Sequence, residues 1–240
     1  LKVKYKNSSL GFLWSMLNPA LYLVVFYIVF SKVLGSGIEK FPIFLLSGLL
    51  VWNLFSTSVT AATVSIVGNA SIVKKVAFPR EVLPLASVGA GIIHFFLQAS
   101  VLVLALVVLH SDVAISYLPL LIPAMVTLIV FTAACALFLG AINVYARDMQ
   151  HLIELALLAW FWATPIVYQY GLVADKLKDS TWVYLLNPIT PIVLTFQKAL
   201  YNISYTRPDA NGNTASILPI GVDQWWYLGH LAEVFALSCI

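Results

Sequence analysis

The charged residues best placed to bind a partner lie together in one short interruption between two long apolar stretches. This segment, residues 69–83, carries Lys74, Lys75, Arg80 and Glu81. A Lys or Arg at the centre of a bilayer costs about 2.5–3.5 kcal/mol on insertion scales, so we expect the segment to lie at a membrane surface. Two interpretations are open: a basic loop that only fixes topology, or a docking site for a second protein.

The apolar residues of the same segment indicate a short helix with one apolar side. Ile72, Val73 and Val76 have helical spacing. Phe78-Pro79 is expected to break this helix, because proline lacks an N–H group and moves its predecessor out of the α region. A short, basic, interrupted helix on one face of a helical bundle is suited to docking a second protein.

Ionisable side chains inside the apolar stretches are further candidates, because such residues in lipid are commonly functional. Glu154 and His94 come first. We expect Glu154 to pair on its helix surface with Arg147 or its neighbour His151, and His94 to be a hydrogen-bonded packing residue. The sequence has no nucleotide-binding loop of the Gly-x-x-x-x-Gly-Lys type and no metal or nucleophile constellation. No catalytic residue and no cofactor are therefore expected in this chain.

Aromatic side chains form a third candidate set, and two groups of them are deep in apolar stretches. The rings of the first group recur every four residues and so share a helix face. The rings of the second group lie close together in the sequence of the fifth span. Sugars stack their apolar faces on aromatic rings, so an aromatic-lined path would let a glycan slide. The alternative is that the rings face lipid or pack between helices. The two groups are Tyr22, Phe26 and Phe30, and Trp160, Trp162 and Tyr168.

The elements that position these residues follow from composition. The chain has 61% hydrophobic and 10% charged residues, against about 25% charged in soluble domains. Its mean hydropathy is +0.95, and its apolar runs are near the length of about 20 residues that spans a bilayer. The net charge of +3 gives no nucleic-acid signal. We predict an all-α integral membrane domain over residues 1–240 with spans at 13–33, 41–67, 85–110, 118–145, 152–170 and 225–240.

The stretch 171–224 is longer and more polar than the other connections. It contains two apolar pieces, 181–186 and 191–201. Because long unstructured loops are uncommon in compact proteins, we predict two short re-entrant helices that dip into the outer face of the membrane. An irregular loop, 207–221, follows them. Thr164-Pro165 is expected to break the fifth span.

Lysine and arginine residues in short loops predict the orientation. With the N-terminus inside, the short inner segments carry seven such cations and the short outer turns carry two. Six spans then place both termini in the cytoplasm. The inner set is Lys2, Lys4, Lys6, Lys74, Lys75, Arg80 and Arg147, and the outer set is Lys32 and Lys40.

Several motifs, in the same order over most of the chain, resemble the ABC-2 permeases that export O-antigen and teichoic acid. The opening motif is KYKNSSLGFLWSMLNP, starting at Lys4. It is followed by SGLLVWN from Ser47, NASIVKKVAFPRE from Asn69, YARD from Tyr145, TPIVY from Thr164, and Asn187-Pro188.

The resemblance implies a fold of six transmembrane helices that works as a homodimer. Each subunit would bind a separate ATP-binding cassette subunit on the cytoplasmic side, which holds the ATP and Mg. Residues 1–12 would form an amphipathic interfacial segment, 69–83 the cytoplasmic coupling region, and 171–224 an external gate. The implied coupling residues are Ile72, Lys74, Lys75, Phe78, Pro79, Arg80 and Glu81. The implied gate residues are Trp182, Asn187, Pro188 and Pro191, and spans 1 and 5 with their aromatic rings would line the path.

The resemblance also implies a function, the ATP-driven export of a lipid-linked polysaccharide across the bacterial cytoplasmic membrane for cell-envelope assembly. Lys2, Lys4 and Lys6 would attract the pyrophosphate of a polyprenyl-type carrier at the inner face, or would only anchor the chain there. Three alternatives are open. They are an ABC-2 exporter of a small lipid or drug, a membrane-embedded enzyme such as a glycosyltransferase, and a proton-coupled carrier.

Overall fold

A computed structural model describes residues 38–75, 77–111, 113–177, 181–205, 214 and 216–239, with isolated positions at 17, 21, 24, 25 and 27–29. The described secondary structure is helical, apart from one isolated bridge between Tyr205 and Ser216. The α-helices are α1 (Phe41–Gly68), α2 (Ala70–Val73), α3 (Val82–Val108), α4 (Leu121–Tyr145), α5 (Met149–Trp162), α6 (Tyr170–Leu177), α7 (Thr181–Leu185), α8 (Ile189–Leu200) and α9 (Gln224–Ser238). A 3₁₀ helix, Ile115–Leu120, leads into α4.

Helix α1 is the centre of the bundle. Every residue from Phe41 to Trp52 is buried, because α3, α4, α5 and α8 pack around the helix. A helix that is apolar on all sides is expected to be surrounded in this way. The second half of α1 is buried on one side only, and its other side is partly exposed.

Small residues allow the long helices to approach closely. A Cβ added at Gly91 of α3 would overlap the hydroxyl of Ser58 on α1. A Cβ added at Gly140 of α4 would lie 3.1 Å from Pro84 and 3.2 Å from the carbonyl oxygen of Ala62. Because lipid tails are as apolar as the helix surfaces, close van der Waals packing of this kind drives helix association in membranes.

Cross-links between helices define the two ends of the bundle. At one end the Lys40 ammonium donates to the His110 carbonyl at 2.7 Å, and the Tyr201 hydroxyl donates to the Glu39 carbonyl at 2.6 Å. At the other end the Asn143 amide donates to the Thr63 carbonyl at 2.9 Å. Helix α3 therefore runs antiparallel to both α1 and α4. The basic segment 69–83 and the turn 146–148 lie at the same end, away from Glu39.

The all-helical membrane fold predicted from the sequence is confirmed. Three described stretches are long and apolar enough to cross a bilayer: Phe41–Gly68, Val82–Val108 and Ile115–Tyr145. Helices α5 and α9, with 14 and 15 residues, are shorter than the roughly 20 residues of a full span. Helix α5 ends at Trp162, just before Thr164-Pro165. The first predicted span lies almost wholly outside the described residues, so six spans remain a prediction.

We predict that Gly91→Val destabilises the α1–α3 contact. The new side chain would meet Ser58 on the central helix, and overpacking of this kind costs about 1–3 kcal/mol. Gly89→Val is the matched control, because nothing lies within 4 Å of a Cβ added at Gly89. Thermal unfolding of the detergent-solubilised protein should show a lower midpoint for Gly91→Val than for Gly89→Val. Equal midpoints would contradict the described packing.

Candidate functional site

The basic segment 69–83 projects from the end of the bundle. Helix α2 is a single turn with no buried residue. Asn69 joins it to α1, since its side-chain amide donates to the Ser65 carbonyl at 2.8 Å. Lys74 and Lys75 form a turn after α2 and are exposed. The segment therefore offers its side chains to the surroundings of the subunit.

The sequence predicted that the helix in this segment would extend to a break at Phe78-Pro79. The observed helix is shorter and ends at Val73. Pro79 instead begins the next element: its carbonyl accepts from the Val82 N–H at 3.3 Å, just ahead of α3. Proline is tolerated there because Pro79 precedes the N-cap residue Glu81, so no helical hydrogen bond requires its N–H. Val76 lies outside the described residues.

The surface of the segment combines charge with exposed carbon. Ile72 is 51% exposed, Phe78 is half-buried and Pro79 is exposed. Within the described part of the chain, no salt bridge is made by the four charged residues of the segment. Those residues are Lys74, Lys75, Arg80 and Glu81, and all four are exposed. An exposed mixture of this kind is suited to a protein contact, where charge guides approach and apolar area is buried.

A second site surrounds Asn187, at the turn between α7 and α8. Its side-chain oxygen accepts from the Trp160 indole N–H at 2.8 Å and from the Ile189 N–H at 3.1 Å. Its amide donates to the Thr164 hydroxyl at 3.0 Å and to the Ala163 carbonyl at 3.3 Å. One side chain thus ties the α7–α8 turn to the break that follows α5.

This contact lies deep in the bundle. Trp160 packs edge-on against Phe55 of α1 and Phe131 of α4, with ring centroids 5.2 and 6.4 Å away. Phe55 lies fourteen residues after Phe41, which corresponds to about 21 Å along the helix at 1.5 Å per residue. The sequence predicted Trp160 as path-lining and Asn187 as part of a gate, and the structure joins the two by a hydrogen bond.

Helix α8 rises from this turn to the end of the bundle that holds Glu39. Pro188 caps the helix and Pro191 is buried in its first turn. Gln197 is fully buried and donates to the Pro165 carbonyl at 3.0 Å. The Ala199 carbonyl accepts from the Ala114 N–H at 3.2 Å.

The remaining predicted rings of this region are more exposed. Trp182 and Trp162 are 62% and 59% exposed. The Tyr168 hydroxyl donates to the Trp162 carbonyl at 3.0 Å and lies 2.7 Å from the Tyr184 hydroxyl. Trp162 and Tyr168 therefore lie together beside α7, whereas Trp160 points into the bundle core.

The predicted pairing of Glu154 is wrong. Glu154 is exposed and forms no ion pair with Arg147 or His151 in the described part of the chain. Arg147 lies in the turn before α5, seven residues from Glu154, so the two are not at i,i+3 or i,i+4 spacing. The His151 ring lies instead 3.2 Å from the Gln150 amide. His94 is half-buried in α3.

Sequence reasoning assigned Thr164 only to the break in the fifth span and to a family motif, and it did not single out Gln197; the structure gives both a hydrogen bond across this contact. Their only signal is polarity: Thr164 precedes a proline, and Gln197 is an amide in an apolar helix. Six predicted site residues lie outside the described part of the chain, namely Lys2, Lys4, Lys6, Tyr22, Phe26 and Phe30. Among the residues that the structure does describe, no group of His, Cys, Asp and Glu side chains is arranged to hold a metal ion.

Comparison with known proteins finds relatives over most of the chain. The profile of the ABC-2 type transporter family matches residues 1–201. The chain is 32% identical over 205 residues to the O-antigen export system permease protein RfbA of Klebsiella pneumoniae, which covers 84% of this chain and 77% of that protein. It is 35% identical over 210 residues to a protein of the same name from Myxococcus xanthus, covering 88% and 79%.

We predict that Trp160→Phe lowers the stability of the protein by about 1–3 kcal/mol. The change removes one donor from Asn187 and part of a ring that packs in the core. Trp162→Phe, on the same helix, is the control and should be close to neutral because that ring is exposed. The measurement is the midpoint of thermal unfolding in detergent.

A double-mutant cycle with Asn187→Leu separates the hydrogen bond from ring packing. If the hydrogen bond stabilises the protein, Trp160→Phe should lower the free energy of unfolding by less in the Asn187→Leu background than in the wild type. Additive effects of the two changes would rule out a stabilising bond between these side chains.

Proposed function

Because the chain belongs to the ABC-2 type transporter family, we propose that it is the permease subunit of an exporter that moves lipid-linked O-antigen across the bacterial inner membrane. The observation that carries the proposal is similarity at 32% and 35% identity to two O-antigen export permeases, over more than three quarters of their lengths. The chain is thus a transport component, and the energy for transport must come from elsewhere.

That energy is supplied, in this proposal, by a separate ATP-binding cassette subunit that holds the ATP and Mg. The sequence lacks a nucleotide-binding loop, and the exposed segment 69–83 is the best described surface for such a partner. Its cations lie at the same end of the bundle as Arg147. Under the positive-inside rule this end faces the cytoplasm, where the ATP is, and we propose that both termini lie on that side as well.

The proposal places an outer gate at α7 and α8. Helix α8 has twelve residues, which gives it a length of about 18 Å. It runs from the deep turn at Asn187 to the end of the bundle that holds Glu39, where its Ala199 contacts Ala114. The pair α7–α8 thus enters the bundle and returns to the same end, as a re-entrant hairpin does. The non-helical residues 164–167, which this turn contacts, are buried, and non-helical backbone at membrane depth is tolerated where protein buries it.

Two copies of the chain would form the path, each with six spans. Closure of the two ATPase subunits around ATP would move both 69–83 segments, and α1 and α3, which flank the segment, would move with them. The gate hairpin would then be displaced through its contact with α5. Lys2, Lys4 and Lys6 would hold the pyrophosphate of the carrier at the inner face, where each cation is worth about 1 kcal/mol near an anionic surface.

Deletion of the gene from its native host should remove the glycan from the cell surface. The polymer should accumulate on its carrier at the inner face, because synthesis continues while export stops. A plasmid copy of the gene should restore surface glycan. Unchanged surface glycan in the deletion strain would contradict the proposed function.

We predict that Lys74→Glu/Lys75→Glu disrupts the contact with the ATPase. Reversed charges would face the same partner surface, and like-charge contacts at an interface are strongly unfavourable. Co-purification of the ATPase and its stimulated hydrolysis should both fall by about tenfold or more.

Lys176→Glu is the control for Lys75→Glu, because the two substitutions change the charge of the protein by the same amount. Lys176 is exposed in α6, which begins beside Ile217 at the opposite end of the bundle. Lys75→Glu should weaken the ATPase contact, whereas Lys176→Glu should leave it intact. Equal effects from these two variants would show that general charge, rather than the 69–83 segment, governs assembly.

A further inference from the structure

A groove of about 680 Å³ lies between the second half of α1 and helix α5. It is separate from the basic segment and from the Asn187 contact. Its α5 wall contains one carboxylate, that of Glu154, among apolar residues. The described lining residues are Leu49, Trp52, Asn53, Ser56, Thr57, Thr60, Ala61 and Val64 of α1, and Glu154, Leu157, Leu158 and Phe161 of α5.

The α1 wall of this groove is polar at membrane depth. Asn53, Ser56, Thr57 and Thr60 follow one another on the side of α1 that faces away from α4. Asn53 lies near the middle of the 28-residue helix. Thr60 lies eight residues before Gly68, about 12 Å from the helix end at 1.5 Å per residue. The polar wall therefore extends from mid-membrane towards the end of the bundle that carries segment 69–83.

Two hydroxyls of the wall are arranged to accept hydrogen bonds, whereas the Asn53 amide already donates to the Gln98 side-chain oxygen at 3.1 Å. The Ser56 hydroxyl donates to the Trp52 carbonyl at 2.8 Å, and the Thr57 hydroxyl donates to the Asn53 carbonyl at 2.5 Å. Each hydroxyl has thus used its only proton and keeps its lone pairs for another donor. Glu154 adds a carboxylate that can only accept when ionised, and its bonds would be charge-assisted. A ligand rich in hydroxyl donors complements this wall.

Lipid tails are poor occupants of such a groove. Hydrocarbon offers no partner to the Glu154 carboxylate, and a polar group without partners in an apolar medium is costly. Ionisable residues in membrane spans usually face a cavity that holds water or substrate. Trp52 and Phe161 line the groove near its mid-membrane end, with ring centroids 5.6 Å apart. Phe161 directly follows Trp160, so the groove ends next to the Asn187 contact.

We propose that this groove is a glycan-binding wall in the cytoplasmic half of the export path. The inference rests on the proposed function and adds to it the residues that contact the polymer. Sugar hydroxyls donate to Ser56, Thr57 and Glu154, and sugar faces stack on the partly exposed Phe161 ring, which the buried Trp52 ring supports from behind. The wall guides the polymer from the inner face towards the gate hairpin.

The first test is water access to the groove. The full chain, in complex with its ATPase partner, carries Cys135→Ser and Cys239→Ser together with a single cysteine, Ser56→Cys or Thr60→Cys. Thr63→Cys is the matched control, because Thr63 lies on the same helix but is fully buried. A charged thiol reagent added to inside-out vesicles should label positions 56 and 60 at least about tenfold faster than position 63, and carrier-linked glycan should slow that labelling.

The second test is export by Thr57→Val/Thr60→Val. Valine keeps the shape of threonine and removes the hydroxyl. Loss of two hydrogen-bond acceptors should slow glycan export about fivefold or more in complexes that assemble with the ATPase as the wild type does. Thr63→Val is the control: its hydroxyl donates to the Val59 carbonyl at 2.8 Å and does not line the groove, so export should stay at the wild-type rate.

The outcomes separate this inference from the proposed function. If the wild-type complex exports no glycan, the function and the inference fail together. If it exports glycan but Thr57→Val/Thr60→Val behaves like Thr63→Val, only the glycan wall is wrong. Labelling at positions 56 and 60 as slow as at position 63 would also overturn it, by showing that lipid, the first span or a second copy fills the groove.

Discussion

The structure depends on the need to satisfy backbone groups where a helix is interrupted inside the membrane. After Trp162 the chain leaves the helical path, and its carbonyls lose their partners in a region without water. The Ala163 carbonyl accepts from the Asn187 amide, and the Pro165 carbonyl accepts from the Gln197 amide. Unsatisfied groups at this depth would cost several kcal/mol each. Two side-chain amides therefore fix where α7 and α8 can lie.

The same two bonds determine how the proposed gate is connected to the rest of the subunit. Asn187 holds the inner tip of the hairpin, and Gln197 holds α8 near its outer end. Trp160 adds a third connection, from the tip to Phe55 on the central helix. The central helix in turn leads to segment 69–83 at the other end of the bundle. A continuous set of packed side chains thus joins the surface proposed to meet the ATPase to the hairpin proposed to open.

Hydropathy and proline positions predicted the helices well, because both act locally. The bounds of α1 and α9 agree with the predicted spans within two residues, and α5 ends two residues before Thr164. Contacts between helices were harder to predict from the sequence. Nothing in the spacing of Trp160 and Asn187, which are 27 residues apart, indicates that they meet. The predicted partner of Glu154 was wrong for a related reason. The prediction favoured residues near Glu154 in sequence, whereas the structure places Glu154 in a groove between α1 and α5.

The two sides of the bundle differ in the chemistry they present to the membrane. Beside α3, α4 and α8 lies a groove of about 420 Å³ whose described lining residues are all apolar, including Phe95, Leu102, Met125 and Phe196. Lipid tails can fill it without loss of hydrogen bonds. The groove between α1 and α5 carries hydroxyls and a carboxylate, so hydrocarbon is disfavoured there. The two grooves therefore require different occupants: hydrocarbon suits the apolar groove, whereas the Glu154 carboxylate in the groove between α1 and α5 requires water or a hydrogen-bonding ligand.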